Sequence, residues 1–113
     1  MRIVAACTLA LMLAGCAAEQ HKPFVPTAEQ SDTLNQYTLC LVKAARASDD
    51  RISDAATIGL AILPVCAGDY QRWMDAMTKD MSVYEKNYYT KLEDAHRLEL
   101  ATTAVVKGRR QSN

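Results

Sequence analysis

The sequence predicts an all-α fold: a disulfide-linked antiparallel helical hairpin packed on a long C-terminal helix of heptad-like spacing. Three observations predict it. Apolar residues recur at steps of three and four, the signature of one helix face. Cys40 and Cys66 lie symmetrically about a break near residue 53, where a hairpin would bring them together. From Tyr70 to Val106 there is neither Gly nor Pro to interrupt a helix.

The chain opens with Met1 and Arg2, followed by Ile3–Ala18 without a charge. A basic start, a short apolar stretch and a small-residue site form the layout of a secretory signal peptide. The uncharged run falls short of the roughly 20 residues that a membrane-spanning helix needs. Leu13-Ala14-Gly15-Cys16 resembles the lipobox of bacterial lipoproteins and matches it at every position. The resemblance implies cleavage after Gly15 and acylation of Cys16, with lipid attached at both the sulfur and the new amino group. An ordinary secretory signal with a nearby cysteine is the other reading of these residues. One acyl chain holds a protein only marginally, at roughly 0.8 kcal/mol per buried CH₂, whereas several hold it stably. Ala17 stands where the family's inner-membrane members carry Asp, which points to the outer membrane, facing the periplasm.

Residues 1–15 are therefore expected to be a signal peptide, and 16–26 a lipidated cysteine with a flexible tether carrying Pro23 and Pro26. Removing 15 of the 113 residues leaves 98, enough for one small helical domain over 27–113. Once Cys7 leaves with the signal and Cys16 takes lipid, Cys40 and Cys66 remain as a pair in an oxidising compartment. Buried free thiols are the alternative. The spacing is unlike C-x-x-C, and no His–Cys cluster accompanies it.

The first helix is expected over about 28–47, opened by the Thr27-x-x-Gln30 capping box. Its inner stripe is Leu34, Tyr37, Cys40, Leu41, Ala44 and Ala47. The second is expected over about 52–67, capped by Ser53 or Asp50, with Pro64 kinking it or starting a new turn. Its face reads Ile52, Ala55, Ala56, Gly59, Ile62, Leu63 and Cys66, so small residues can meet Ala44 and Ala47 and bring the cysteines within bonding distance. Gly68 is expected to close that helix and Asp69 to cap a third, over about 69–106. A helix of this length measures about 55 Å, against about 30 Å and 24 Å for the other two. Its distal seam must bend back, pair with another copy or meet another protein.

That seam supplies the candidate contact residues Tyr88, Leu92, Ala95, Leu98, Thr102 and Val105. The expected partners are membrane lipid, through acylated Cys16, and another protein or a weakly associating second copy, through the third helix. Murein lipoproteins are similar in having a lipobox followed by a heptad helix, but this chain ends Gln111-Ser112-Asn113 rather than in lysine. Accessory subunits of secretion or conjugation machines are a further analogy of class. The formal charge is zero, so no nucleic-acid surface is expected; Lys107, Arg109 and Arg110 read as a solvated helix end.

Catalysis is not expected. Glu93-x-x-His96 is one half of the paired motif that di-iron bundles require. His96 lacks a serine or threonine in a nucleophile turn, no phosphate loop is present, and no cofactor or metal is called for. The alternative to a contact protein is a small-ligand or Cu(I)-binding periplasmic module. It would use the face Tyr70, Trp73, Met74, Met77, Met81 and Tyr84, soft thioethers suiting a soft cation.

Overall fold

The structure is a computed structural model and describes residues 22–112. The expected signal peptide, Cys16 and the first part of the tether lie outside the described residues. Four helices follow in order: α1 (Ala28–Ser48), α2 (Ala55–Ile62), α3 (Ala67–Thr78) and α4 (Val83–Gln111). Among the described residues there is no strand.

The α1 boundaries follow the sequence signals. Thr27 Oγ1 accepts from the Gln30 amide at 3.2 Å, and Gln30 Oε1 accepts from the Thr27 amide at 2.9 Å. These bonds satisfy amides that a helix start otherwise leaves without partners. After Asp49 the chain turns through Arg51 at φ 59°. Asp49 Oδ1 accepts from the Arg51 amide, and Asp50 Oδ1 from those of Ile52 and Ser53.

Those turns consume the residues expected to begin the second helix. Asp54, rather than Ser53 or Asp50, caps α2, accepting from the amides of Ala56 and Thr57 at 3.0 Å. Ile52 is left 91% exposed. Helix α2 stops at Ile62, because Pro64 has no amide to donate and disfavours helical backbone before it. Residues 63–66 form a turn, and α3 resumes at Ala67 with Cys66 in the capping position. Gly68 therefore lies inside α3 rather than closing α2, and Asp69 is a first-turn residue rather than the cap.

Contacts along the chain fix the directions. The Cys40–Cys66 disulfide, with Cα atoms 5.8 Å apart, joins the middle of α1 to the α2–α3 junction. The Gln30 side-chain amide donates to the Ala76 carbonyl, and Lys79 pairs with Glu29 at 3.4 Å. Helices α2 and α3 thus form one broken rod antiparallel to α1. Arg109 meets Asp49, so α4 returns parallel to α1.

The core has two stories. Toward the C-terminal ends of α1 and α4 it is aliphatic, with Leu41, Ala45, Ile58, Ile62, Ala101 and Val105 buried together. There α2 presses so closely on α4 that a Cβ on Gly59 would stand 2.9 Å from Thr102 Oγ1 and 3.1 Å from its backbone nitrogen. The close approach expected of Gly59 is present, but its neighbour is α4 rather than the alanine stripe of α1, and Ala47 stays exposed. Toward the other end, Tyr37, Tyr70 and Trp73 form an aromatic cluster with ring centroids 5.4–6.0 Å apart.

The largest departure is at the expected third helix, which is two helices. It breaks at residues 79–82, where the chain bends back and α4 begins. Ser82 caps α4 through a second capping box: its Oγ accepts from the Glu85 amide, and Glu85 Oε2 accepts from the Ser82 amide at 2.8 Å. The seam ran through this break because Met77, Met81 and Tyr84 keep the same spacing on both sides of it.

Candidate contact face on α4

Helices α1 and α4 run in a fixed register. Asp49 and Arg109 form a two-pronged pair: Arg109 Nε donates to Oδ2 at 2.9 Å and Nη2 to Oδ1 at 2.6 Å. Nη2 also donates to the Ser53 carbonyl at 2.7 Å, so this one side chain ties the end of α4 to the α1–α2 loop. These donors hold the Asp49 carboxyl well below the usual range, at about 2. Arg109 is therefore part of the fold and not of a solvated tail.

Twelve residues down each helix, the same offset brings Tyr37 beside Arg97. The Arg97 guanidinium also lies over the Tyr70 ring, 4.1 Å from its centre, and the Tyr70 hydroxyl donates to Asp94 at 2.9 Å. Burial pushes the Tyr37 phenol up, and Arg97 offsets part of that rise. Burial together with the Asp94 carboxylate pushes Tyr70 up further, and burial together with Glu93 pushes Tyr89 up to about 12. Neither Tyr37 Oη nor Arg97 Nε completes a hydrogen bond among the described residues. This cluster pins α4 to the aromatic story; nothing in it pairs a nucleophile with a base.

Continued to its start, the register sets Ala28 level with Tyr88. The first five residues of α4, about 8 Å at 1.5 Å per residue, therefore project past the start of α1. The six contact residues expected from the seam all lie level with α1 and divide by the side of the helix they stand on. Tyr88 (61% exposed), Leu92 (43%) and Ala95 lie on the surface. Leu98 and Thr102 are half-buried, and Val105, at 1%, is part of the core. Val105 and Thr102 are thus packed by their own chain, Thr102 against Gly59, and are not available to a partner. Sequence reasoning missed that Tyr84 (81%) extends the exposed stripe by one turn and that Val83 (79%), on another side of the helix start, is exposed as well.

The other expected face does not form one surface. Tyr70, Trp73 and Met74 are buried in the core, Met77 packs against it, and Tyr84 lies beyond the helix break. His96 is exposed and borders a shallow hollow with Leu34, Trp73, Glu93, Glu99 and Leu100. Among the described residues, no three His, Cys, Asp or Glu side chains are grouped to hold a metal. A second shallow hollow, lined by Leu39, Cys40, Ala44, Ala47 and Val65, flanks the disulfide; Leu39 and Val65 are exposed there, in keeping with their places off the two expected inner stripes. No described helix is long and apolar enough to cross a membrane.

Comparison with protein-family models, with curated proteins and with solved structures finds no match. The functional reading therefore rests on the residues themselves.

Proposed function

We propose that this chain is a lipid-anchored lipoprotein of the cell envelope, acylated at Cys16 and seated on the outer membrane facing the periplasm. It acts without catalysis, as a contact or scaffold protein or an accessory subunit. Its contact face is the exposed stripe Tyr88, Leu92 and Ala95, one helical turn apart at each step. One observation carries the contact reading: the side of α4 turned away from its buried face carries aligned apolar side chains that the chain leaves uncovered. Large apolar side chains scattered singly on a surface need no explanation, but an aligned series on one helix face is the usual means by which helices recognise partners. The lipobox supports the anchor, and the Cys40–Cys66 bridge agrees with an oxidising compartment.

Two experiments separate the parts of this reading. Cys16→Ser should move the protein out of the membrane fraction and abolish palmitate incorporation; retention in the membrane would contradict the anchor. A photo-crosslinker at Leu92 in intact cells should capture one defined protein, and the same probe at Gln71, on the exposed side of α3, should not. Equal capture from both positions would contradict the contact face.

A further inference from the structure

We propose that the projecting tip of the bundle, the first turn of α4 together with the segment before α1, inserts its apolar side chains into the headgroup region of the membrane. The inference rests on the lipoprotein reading and adds to it a second, non-covalent membrane contact.

Topology brings the tip together. Helices α1 and α4 are parallel, so both start at the same end of the bundle, and the Lys79–Glu29 pair fastens the turn before α4 to the first turn of α1. Four large apolar side chains are exposed there: Phe24 (69%), Val25, Val83 and Tyr84. The opposite end is closed by the Asp49–Arg109 clamp. Val83 and Tyr84 stand in the overhang, beyond any residue of α1, so no part of the bundle's flank covers them.

The chain beyond the structure says what does. Only ten residue steps separate Pro26 from Cys16, a span that cannot exceed about 35 Å even fully extended. The end of the bundle that carries the tip is thus the end held to the lipid. Confinement at that range gives a high effective concentration, so an apolar contact too weak to bind from solution suffices. The side chains suit the place: tyrosine offers a ring to the acyl boundary and a hydroxyl to water, the combination enriched at membrane interfaces. Lys22 and Lys86 favour anionic headgroups; Asp80 and Glu85 oppose them, although the Glu85 carboxylate is folded back onto Ser82. Tyr88 and Leu92 stand about 6 and 12 Å farther up α4 than Tyr84, clear of the lipid and free for a protein.

The test uses the acylated chain from Cys16 onward in vesicles of phosphatidylethanolamine and phosphatidylglycerol at 3:1, with Trp73→Phe as background. Tryptophan is placed at the tip by Tyr84→Trp or at the far end by Ile52→Trp, and each variant is first checked for unchanged helical circular dichroism. The Tyr84 reporter should be quenched at least twofold by brominated lipid and shielded from aqueous iodide, while the Ile52 reporter is quenched by iodide alone. Equal access of iodide to both reporters, in a chain that floats with the vesicles, would overturn the tip contact and leave the anchor standing. A chain that does not float would overturn the anchor and the inference with it. Shielding of Tyr84 that appears only at high protein-to-lipid ratio, with no quenching by brominated lipid, would assign the tip to a second copy and also overturn the proposal.

Discussion

The two halves of α4 carry the same kind of sequence and meet different fates. In the C-terminal half, Ala101, Ala104 and Val105 are buried against α1 and α2. In the N-terminal half, Tyr84, Tyr88 and Leu92 keep the spacing of a buried face yet stand in solvent. The side of the helix is what separates them: at 3.6 residues per turn, Tyr88, Leu92 and Ala95 stand about 120–180° round α4 from Ala101. Helix α2 lies directly across the side that carries Ala101 and Val105, close enough to require a glycine. The N-terminal half meets α3 at the Tyr70–Asp94–Arg97 cluster and packs Tyr89 against the core, while Tyr84, Tyr88 and Leu92 stand on the side turned away. Apolar spacing thus reports that a helix has a face to cover, and the side on which its neighbours pack decides whether the same chain covers it.

This contrast can be broken at several points, most severely at the disulfide. The bridge closes a loop with a sequence separation of 26, worth about 3.5 kcal/mol in the chain-entropy model. Cys40→Ala with Cys66→Ala should lower the unfolding free energy by about that much in urea titration. A loss under about 1 kcal/mol would mean that the clamp and core hold the hairpin without it.

Gly59→Val should cost about 2–3 kcal/mol, because the added carbon meets the Thr102 backbone, which cannot yield as a side-chain tip would. Thr102→Ser should not rescue it, since the hydroxyl stays and the backbone contacts remain. Rescue would show that α2 and α4 sit farther apart.

The Asp49–Arg109 clamp makes the locked half sensitive to acid. Its carboxyl titrates lower in the folded chain than in the unfolded one, so its contribution is complete above about pH 4 and is lost as pH falls through about 2. Arg109→Gln should flatten stability against pH in that window, measured by thermal melts at constant ionic strength. An unchanged slope would place the acid sensitivity elsewhere.

The smallest effect is expected on the open half. Tyr88→Ser with Leu92→Ser should leave stability within about 0.5 kcal/mol while abolishing capture of the crosslinked partner. A loss of several kcal/mol would mean that α4 packs along its whole length against its own chain.

Much of the locked half was legible in the residues. Thr27-x-x-Gln30 marked the start of α1, the symmetry of Cys40 and Cys66 marked the hairpin, and Pro64 marked the interruption between α2 and α3. The divided third helix was not read, for a physical reason: two helices whose apolar faces keep step across a turn look like one. Ser82-x-x-Glu85 was the available signal, the same type of cap that identified α1, but the continuous seam masked it. Ile52 was misassigned because its turn is built by Asp49 and Asp50 side chains bonding to local amides, and apolar spacing does not see such bonds. Arg109 looked like a helix-end charge because its partner lies 60 residues away in sequence.

The division of α4 is tested most directly by residue-resolved amide hydrogen exchange along that helix. Protection at Ala101–Val105 should approach the free energy of global unfolding, and at Tyr88–Leu92 it should be lower by at least tenfold. Uniform protection from Tyr88 to Val105 would contradict the account, since it would mean that both halves are held by the same cooperative core.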